Sequence, residues 1–402
     1  MKVKFGIATK IFIALIVGVF VGLLLTPAPD VASTYIKPFG ELFLNLIRMM
    51  VVPLVLSSLI VGTASLGDVK KLGRIGAKTI AYYLLTTALA ITIGIILANI
   101  IKPGTGITLP VEEVEIKGEP PLITPADLVP SNPVKAMAEG NMLQIIVFAI
   151  FLGIAITLVG EKGKPVLDFF NSLAEISYKI VWIIMEYYAP IGVFALIVPV
   201  VADHGPSLLL PLGKLIITDY LGFAIQLFMV YSALVWIFTR MNPVKFFKSA
   251  APAMLTAYTT SSSSGTLPVT MEVTEKKLGV SKSICSFVLP LGATINMDGT
   301  ALHLGISVLF TAQLYGVELS LSQQLAVLLT ATMFSIGTAG VPGVSIFFLP
   351  AILQTVGLPL GSIALIAGID RILDMGRTLV NVTGDMAGSV VIAATEKELN
   401  RT

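Results

Sequence analysis

Five polar side chains near the end of the chain, Asp370, Asp374, Arg377, Asn381 and Asp385, follow one another at spacings of 4, 3, 4 and 4. At about 3.6 residues per turn they share one narrow face of a helix, with Arg371 and Thr378 at its edge. The 51 residues before them, 319–369, carry no charge. An ionisable group in hydrocarbon costs about 2.5 kcal/mol or more, so such a stripe faces a protein interior or a polar cavity and marks a function. A closed ion-pair network accounts for Asp374 with Arg377, but not for three acids against Arg377 and an edge arginine. The excess acid suits a cation, and the planar fork of Arg377 suits a carboxylate. A free amino acid offers both groups: Asp374, about one turn before Arg377, takes an ammonium, and Asn381 donates to an α-carboxylate. Asp298, Asp385 and Asn296, with backbone carbonyls at nearby chain breaks, are hard oxygen ligands suited to an alkali cation rather than a transition metal.

The elements that position these groups must cross a membrane. The chain has 402 residues, of which 55% are hydrophobic and 12% charged, and its mean hydropathy is +0.92. Soluble domains carry roughly 25% charged residues, so this chain needs lipid to accept its apolar surface. Charge-free runs fall at 11–29, 49–67, 79–101, 140–160, 187–202, 220–239, 249–271, 299–317 and 319–369. About 20 apolar residues span a bilayer, so the last run must fold back or break. The first run, behind Lys2, Lys4 and Lys10, has the flanks of a secretory signal but reads as an uncleaved first helix. One cysteine, Cys285, excludes an intrachain disulfide and a cysteine metal cluster. The basic residues are dispersed among short loops, which gives no surface for nucleic acid.

Loop charge orients the spans. Lys70, Lys71, Arg74 and Lys78, then Lys162 and Lys164, then Arg240, Lys245 and Lys248 mark one side, the cytoplasmic one by the positive-inside rule. The run 249–271 ends at another basic cluster, so it reads as a re-entrant hairpin. Its tip is Thr259-Thr260-Ser261-Ser262-Ser263-Ser264-Gly265, poor helix interior and good turn material. The next span is interrupted at Asn296-Met297-Asp298-Gly299. The stretch 319–357 breaks at Gly337 to Gly343 and reads as a second hairpin from the opposite side, before a final helix over 358–394. Paired interrupted segments point to a transporter site near the midplane. The Pro- and acid-rich run 103–130 is an extended external loop. His303, one turn past Asp298, reads as a packing or pore-side histidine, with a proton relay as the second reading. The serines at 261–264 lack a base and an elbow motif, which argues against a hydrolase.

Four motifs in order carry a family likeness: Ser262-Ser263-Ser264-Gly265-Thr266-Leu267-Pro268, Asn296-Met297-Asp298-Gly299-Thr300, Gly337 to Gly343, and Asp374-Met375-Gly376-Arg377-Thr378 through Asp385. The chain resembles, over essentially its whole length, the glutamate/aspartate transporters (dicarboxylate/amino acid:cation symporters), and looks most like their archaeal sodium–aspartate branch. That likeness implies an all-α membrane protein of eight transmembrane helices and two re-entrant helical hairpins in inverted repeats, working as an elevator. It implies a homotrimer in the cell membrane with both termini cytoplasmic. Scaffold helices 1–2 would occupy 1–73, transport-domain helix 3 74–102, the external loop 103–130, scaffold helices 4–5 131–206, and helix 6 207–242. The first hairpin would be 243–277, broken helix 7 278–315, the gating hairpin 316–357, helix 8 358–394 and the tail 395–402.

The resemblance also implies roles. Arg377 with Thr300 would hold the substrate's side-chain carboxylate, Asp374 its amino group, and Asn381, Thr378 and the backbone at Ser262 and Ser263 its α-carboxylate, under a gate at Val341 and Gly343. Three co-transported sodium ions are implied. One would use Gly292, Asn296, Asn381 and Asp385. The second would use backbone carbonyls of Thr294, Ser335, Ile336 and Thr338 beside Met297, and the third Tyr83, Thr86, Thr87, Asn296 and Asp298. The cargo implied is L-aspartate or L-glutamate; the alternative is a proton-coupled C4-dicarboxylate carrier on the same scaffold. Archaeal relatives have arginine at the position of Ser261 and glycine at that of Ser345, and animal relatives have arginine at that of Met375. Arg371, within helical reach of Asp374, is expected to replace the missing guanidinium in part.

Overall fold

The computed structural model describes residues 7–67, 73–106, 129–205, 209–336 and 343–400. Long apolar runs leave the backbone no polar solvent, so its N–H and C=O groups pair within helices. Among the described residues the chain is all-helical, apart from an isolated bridge between Val280 and Leu399. The first half comprises α1 (Ile7–Leu24), α2 (Lys37–Gly67), α3 (Arg74–Ile101), α4 (Met142–Val159), α5 (Lys164–Ile183) and α6 (Ala189–His204). Then come α7 (Leu209–Ile225) and α8 (Ser232–Thr239), joined by the π-helical turn Gln226–Tyr231. The rest is α9 (Pro243–Thr260), α10 (Ser263–Lys276), α11 (Lys282–Ile295), α12 (Asp298–Leu314), α13 (Leu321–Ser335), α14 (Ser345–Thr355) and α15 (Ser362–Glu396). Five helical segments among the described residues are long and apolar enough to cross a membrane: Arg74–Ile101, Gln144–Ser177, Glu186–Asp203, Leu210–Thr239 and Ser362–Glu396.

Local chemistry sets the helix boundaries. The Asn242 side chain accepts the Val244 N–H at 2.8 Å, with Pro243 in the first helical position of α9. Ser261, at φ 52°, ends that helix in the left-handed region, and Ser262 caps α10 by accepting the Gly265 N–H at 3.0 Å. Ser320 and Gln323 form a capping box that starts α13. The expected interruption at Asn296-Met297-Asp298-Gly299 falls at Asn296 and Met297, between α11 and α12. The final helix starts at Ser362, later than the pattern predicts, because Gly357 (φ 70°), Pro359 and Gly361 favour a turn, and it runs on to Glu396.

Two packing groups emerge. α1, α2, α4, α5 and α6 pack on one another, whereas α3 and α7–α12 gather round α15 and α12. α1 and α6 touch α15, and α14 touches α2 and α4, so these contacts join the groups. Phe20, Ile100, Phe151, Leu158 and Phe228 point outward, an apolar exterior that fits lipid. At its far end α15 is clamped to α3, where Glu396 accepts from Arg74 Nη2 and Lys78 Nζ, each at 2.5 Å. Beyond it the Ser281 and Ser283 hydroxyls donate to Glu398 and hold its carboxyl below the ordinary range.

α3 and α12 approach so closely at Gly94 that an added Cβ would lie 2.7 Å from the Leu302 carbonyl oxygen, a backbone atom that cannot yield cheaply. Gly94→Ala is expected to destabilise the protein by about 1–3 kcal/mol. Gly213→Ala, where a Cβ meets nothing within 4 Å, should be neutral or stabilising by up to ~1 kcal/mol. Thermal midpoints in detergent test the pair, and equal midpoints would disprove the tight contact.

Candidate functional site

α15 is a helix with no solvent face in its second half: every residue from Val380 to Ala393 is buried. The predicted stripe is buried as well, with Asp370, Asp374, Arg377, Thr378, Asn381 and Asp385 each no more than 6% exposed. Arg377 Nη2 lies 2.8 Å from Asp370 Oδ1 and 2.8 Å from Asp374 Oδ1. Both acids therefore engage one nitrogen. Arg377 Nε and Nη1 are buried with no hydrogen-bond partner. A buried charged donor left unmatched costs at least about 1–3 kcal/mol, so this guanidinium is a half-filled anion site.

Residues at the start of α14 border it. Gly343, in the left-handed region at φ 76°, donates its N–H to Asp374 Oδ2 at 3.0 Å, and Ser345 Oγ lies 3.4 Å from Asp370 Oδ1. Ser262 and the buried Ser263 begin α10, whose first N–H groups form an anion-favouring helix N-terminus. The Ser261 hydroxyl is buried without a partner. Arg371 does not supply a guanidinium to Asp374. Its Nη2 donates to the Thr259 carbonyl at 3.0 Å, in the last turn of α9, while Arg377 pairs Asp374. Val341 and Thr338 lie outside the described residues.

The break between α11 and α12 meets the same stripe. Asn381 Oδ1 accepts the Gly299 N–H at 2.8 Å, and Asn381 Nδ2 donates to Thr300 Oγ1 at 3.3 Å, 3.2 Å from Met297 Sδ. Gly299 permits this approach, because a Cβ there would strike the Arg377 backbone. Asn296 Nδ2 donates to Asp385 Oδ1 at 2.9 Å and to the Asn381 carbonyl at 3.3 Å. A Cβ on Gly292 would lie 2.5 Å from both Asp385 Oδ1 and Tyr83 OH, so that backbone abuts both oxygens.

Next to this, Asp298 is fully buried and accepts three hydrogen bonds: Thr87 Oγ1 at 2.6 Å, Tyr231 OH at 2.7 Å and Gln226 Nε2 at 3.1 Å. Thr86 Oγ1 lies 3.5 Å from Asn296 Oδ1. Tyr83, Thr86, Thr87, Gly292, Asn296, Asp298, Asn381 and Asp385 thus form one oxygen-rich group. The Thr294 and Ser335 hydroxyls donate to carbonyls of their own helices, Leu291 and Thr332, and the Ile336 N–H to that of Met333, so these positions would offer backbone carbonyls rather than side chains. Among the described residues no cluster of three His, Cys, Asp or Glu side chains exists to hold a metal ion, so any cation here relies on hydroxyl, amide and carbonyl oxygens as well. Sequence reasoning gave no role to Asp370, Gln226 or Tyr231. Asp370 was visible in the stripe spacing; Gln226 and Tyr231 reach Asp298 from the π-turn, which no periodicity announces.

The family model described as the Sodium:dicarboxylate symporter family matches residues 7–395. The chain belongs to that family. It is a multi-pass membrane transporter, not an enzyme. A Proton/sodium-glutamate symport protein of Geobacillus stearothermophilus is 42% identical, with 99% of this chain and 96% of that protein covered. A Proton/glutamate-aspartate symporter of Escherichia coli (strain K12) is 39% identical over 100% and 95%. A C4-dicarboxylate transport protein of Bacillus subtilis (strain 168) is 34% identical over 100% and 96%. The names of these relatives give their cargo as glutamate, glutamate or aspartate, and C4-dicarboxylates.

Tyr231→Phe removes the shorter of the two bonds to Asp298 Oδ2. It is expected to lower stability by about 1.5–3 kcal/mol, the range for hydrogen bonds to charged groups, read as a lower thermal midpoint. A midpoint equal to wild type would show that this hydroxyl does not hold the carboxylate.

Proposed function

We propose that the protein is a secondary symporter that takes up L-aspartate or L-glutamate with sodium ions. The observation that carries this reading is the pair of unmatched donors, Nε and Nη1, on a buried Arg377. A substrate side-chain carboxylate supplies what they lack. Asp374, beside Arg377 and bonded to the Gly343 N–H, would partner the substrate's ammonium, and Thr378, Asn381 and the α10 N-terminus would hold its α-carboxylate. Sodium is cargo at the oxygen-rich group of Asp298, Asn296 and Asp385, whose donors are of the hard kind an alkali cation accepts. Three ions are proposed, at the sets implied by the family likeness. α1, α2 and α4–α6 would form a static scaffold in a homotrimer, and α3 with α7–α15 would slide as an elevator in the cell membrane, both termini cytoplasmic. The second hairpin, through Val341 and Gly343, would gate the site. Eight spanning helices and two re-entrant hairpins belong to the same proposal.

One observation favours a C4-dicarboxylate as second reading. Asp374 is already neutralised by Arg377, so a substrate without an ammonium leaves it partnered.

Titration of the purified protein with L-aspartate, with and without sodium, tests the main reading: affinity should climb with sodium at a slope above one ion. Succinate should compete poorly; strong succinate competition with weak aspartate binding would install the second reading. Arg377→Lys, which keeps charge but loses the fork, should weaken aspartate by roughly ten- to a hundred-fold. Unchanged affinity in that variant would remove Arg377 from substrate binding.

A further inference from the structure

A second buried pair of titratable groups stands apart from the stripe. His303, on α12, places Nδ1 3.0 Å from Asp219 Oδ1, on α7, and both side chains are no more than 1% exposed. Ser307 Oγ lies 3.2 Å from His303 Nε2. Asp219 Oδ2 is buried with no hydrogen-bond partner. A carboxylate in that state, facing only a neutral imidazole, would keep a full negative charge with one oxygen unsolvated, which is strongly unfavourable. One added proton removes that charge, whether it resides on the imidazole or on the carboxyl; the proton belongs to the pair as a unit.

The surroundings connect the pair to the cargo site. α7, which carries Asp219, packs directly on α15, which carries Asp370, Asp374 and Arg377, and Tyr220, the neighbour of Asp219, donates to the Ile372 carbonyl of α15 at 2.7 Å. α13 and α14, which pack on α12, carry no titratable side chain. α3 contributes Tyr82 and Tyr83, of which Tyr83 donates to the Val288 carbonyl at 3.0 Å, and Arg74 and Lys78 at its first turn, bound to Glu396. Among the described residues Arg377 is the one buried arginine, and it stands on the helix against which α7 packs, so it is the fixed positive charge through which α15 acts on Asp219.

We infer that the Asp219–His303 pair is a proton-binding site linked to substrate binding, so that a proton accompanies the loaded carrier. The linkage rests on the reading that a substrate carboxylate docks on Arg377; the proton site itself does not. The sign follows from charge. An anion on Arg377 cancels the positive field at Asp219, so the pair holds its proton more tightly when substrate is bound. Substrate binding then takes up a proton from solution, and by reciprocity substrate affinity rises as pH falls through the pair's titration.

The chain has two histidines, His204 and His303, which makes the test direct. The full-length protein carrying His204→Gln and nitrogen-15 histidine reports on His303 alone by NMR. Without substrate, its ring nitrogen signals, followed over about pH 5 to pH 9, should respond to pH, and Asp219→Asn should change that response. Ring signals that stay constant over this range would overturn the proton site. Saturating aspartate with sodium should raise the pair's proton affinity about fivefold or more. Calorimetry in buffers of different ionisation enthalpy should show proton uptake on aspartate binding, lost in both Asp219→Asn and His303→Gln. Uptake that persists in both variants, or aspartate binding with no uptake in the wild type, would overturn the linkage. A titrating His303 in a protein that does not bind aspartate would sink the acidic-amino-acid reading and leave the proton site standing.

Discussion

The rest of the molecule is arranged around a buried arginine whose two acidic neighbours share one of its nitrogens. Asp370 and Asp374 both meet Nη2 of Arg377, and Nε and Nη1 are left over. A guanidinium in an apolar interior tolerates that only if something else arrives, because the desolvation cost is large and a shared contact recovers part of it. The same constraint explains why α15 is central. The polar face of a helix carrying this stripe cannot meet lipid, so other helices wrap it, and from Val380 to Ala393 no residue is exposed. It also explains Gly299, since any side chain there would push the broken helix off the Arg377 backbone.

The broken helix is what makes one site out of two. Where α11 stops and α12 starts, backbone groups are released at depth, and such irregular backbone survives only where polar partners replace the lost helical bonds. Asn381 supplies one replacement by accepting from Gly299, and Asn296 spans the gap by donating to Asp385 and to the Asn381 carbonyl. An anion at Arg377 and a cation at the oxygen-rich group would thus lean on the same two asparagines. Coupling between them then needs no distant relay, because each ligand stabilises one arrangement of a shared joint.

The sequence displays those features that repeat or are rare. The stripe on α15 was legible because charge inside an apolar run is conspicuous and its 4-3-4-4 spacing has a single helical meaning. The turn at Ser261 and Ser262 and the interruption at Asn296 were legible because runs of Ser, Asn and Gly break helices. Cross-chain partners were not. Tyr231 and Gln226 find Asp298 from 67 and 72 residues away, through a π-turn that re-aims two side chains, and nothing periodic records such a match. Arg371 misled for a related reason: helical spacing gives which residues it can reach along α15, whereas its actual partner, the Thr259 carbonyl, comes from another element. Asp219 escaped notice because a single acid at the edge of an apolar run looks like a boundary until His303 is brought against it.

Charge balance closes the argument. Among the described residues the fully or nearly fully buried acids are Asp219, Asp298, Asp370, Asp374 and Asp385, against the one buried arginine, Arg377, and the one buried histidine, His303. Five carboxylates cannot all remain ionised in a low-dielectric interior with one fixed cation to answer them, and an acidic substrate makes the imbalance worse. The deficit must be met from outside by small cations, by protons, or by both. A transporter built this way does not merely permit co-transport of positive charge with its anion; the loaded interior is stable only when that charge comes along. On the proposed reading, the oxygen-rich group at Asp298 and Asp385 and the pair at Asp219 would be two answers to one electrostatic demand.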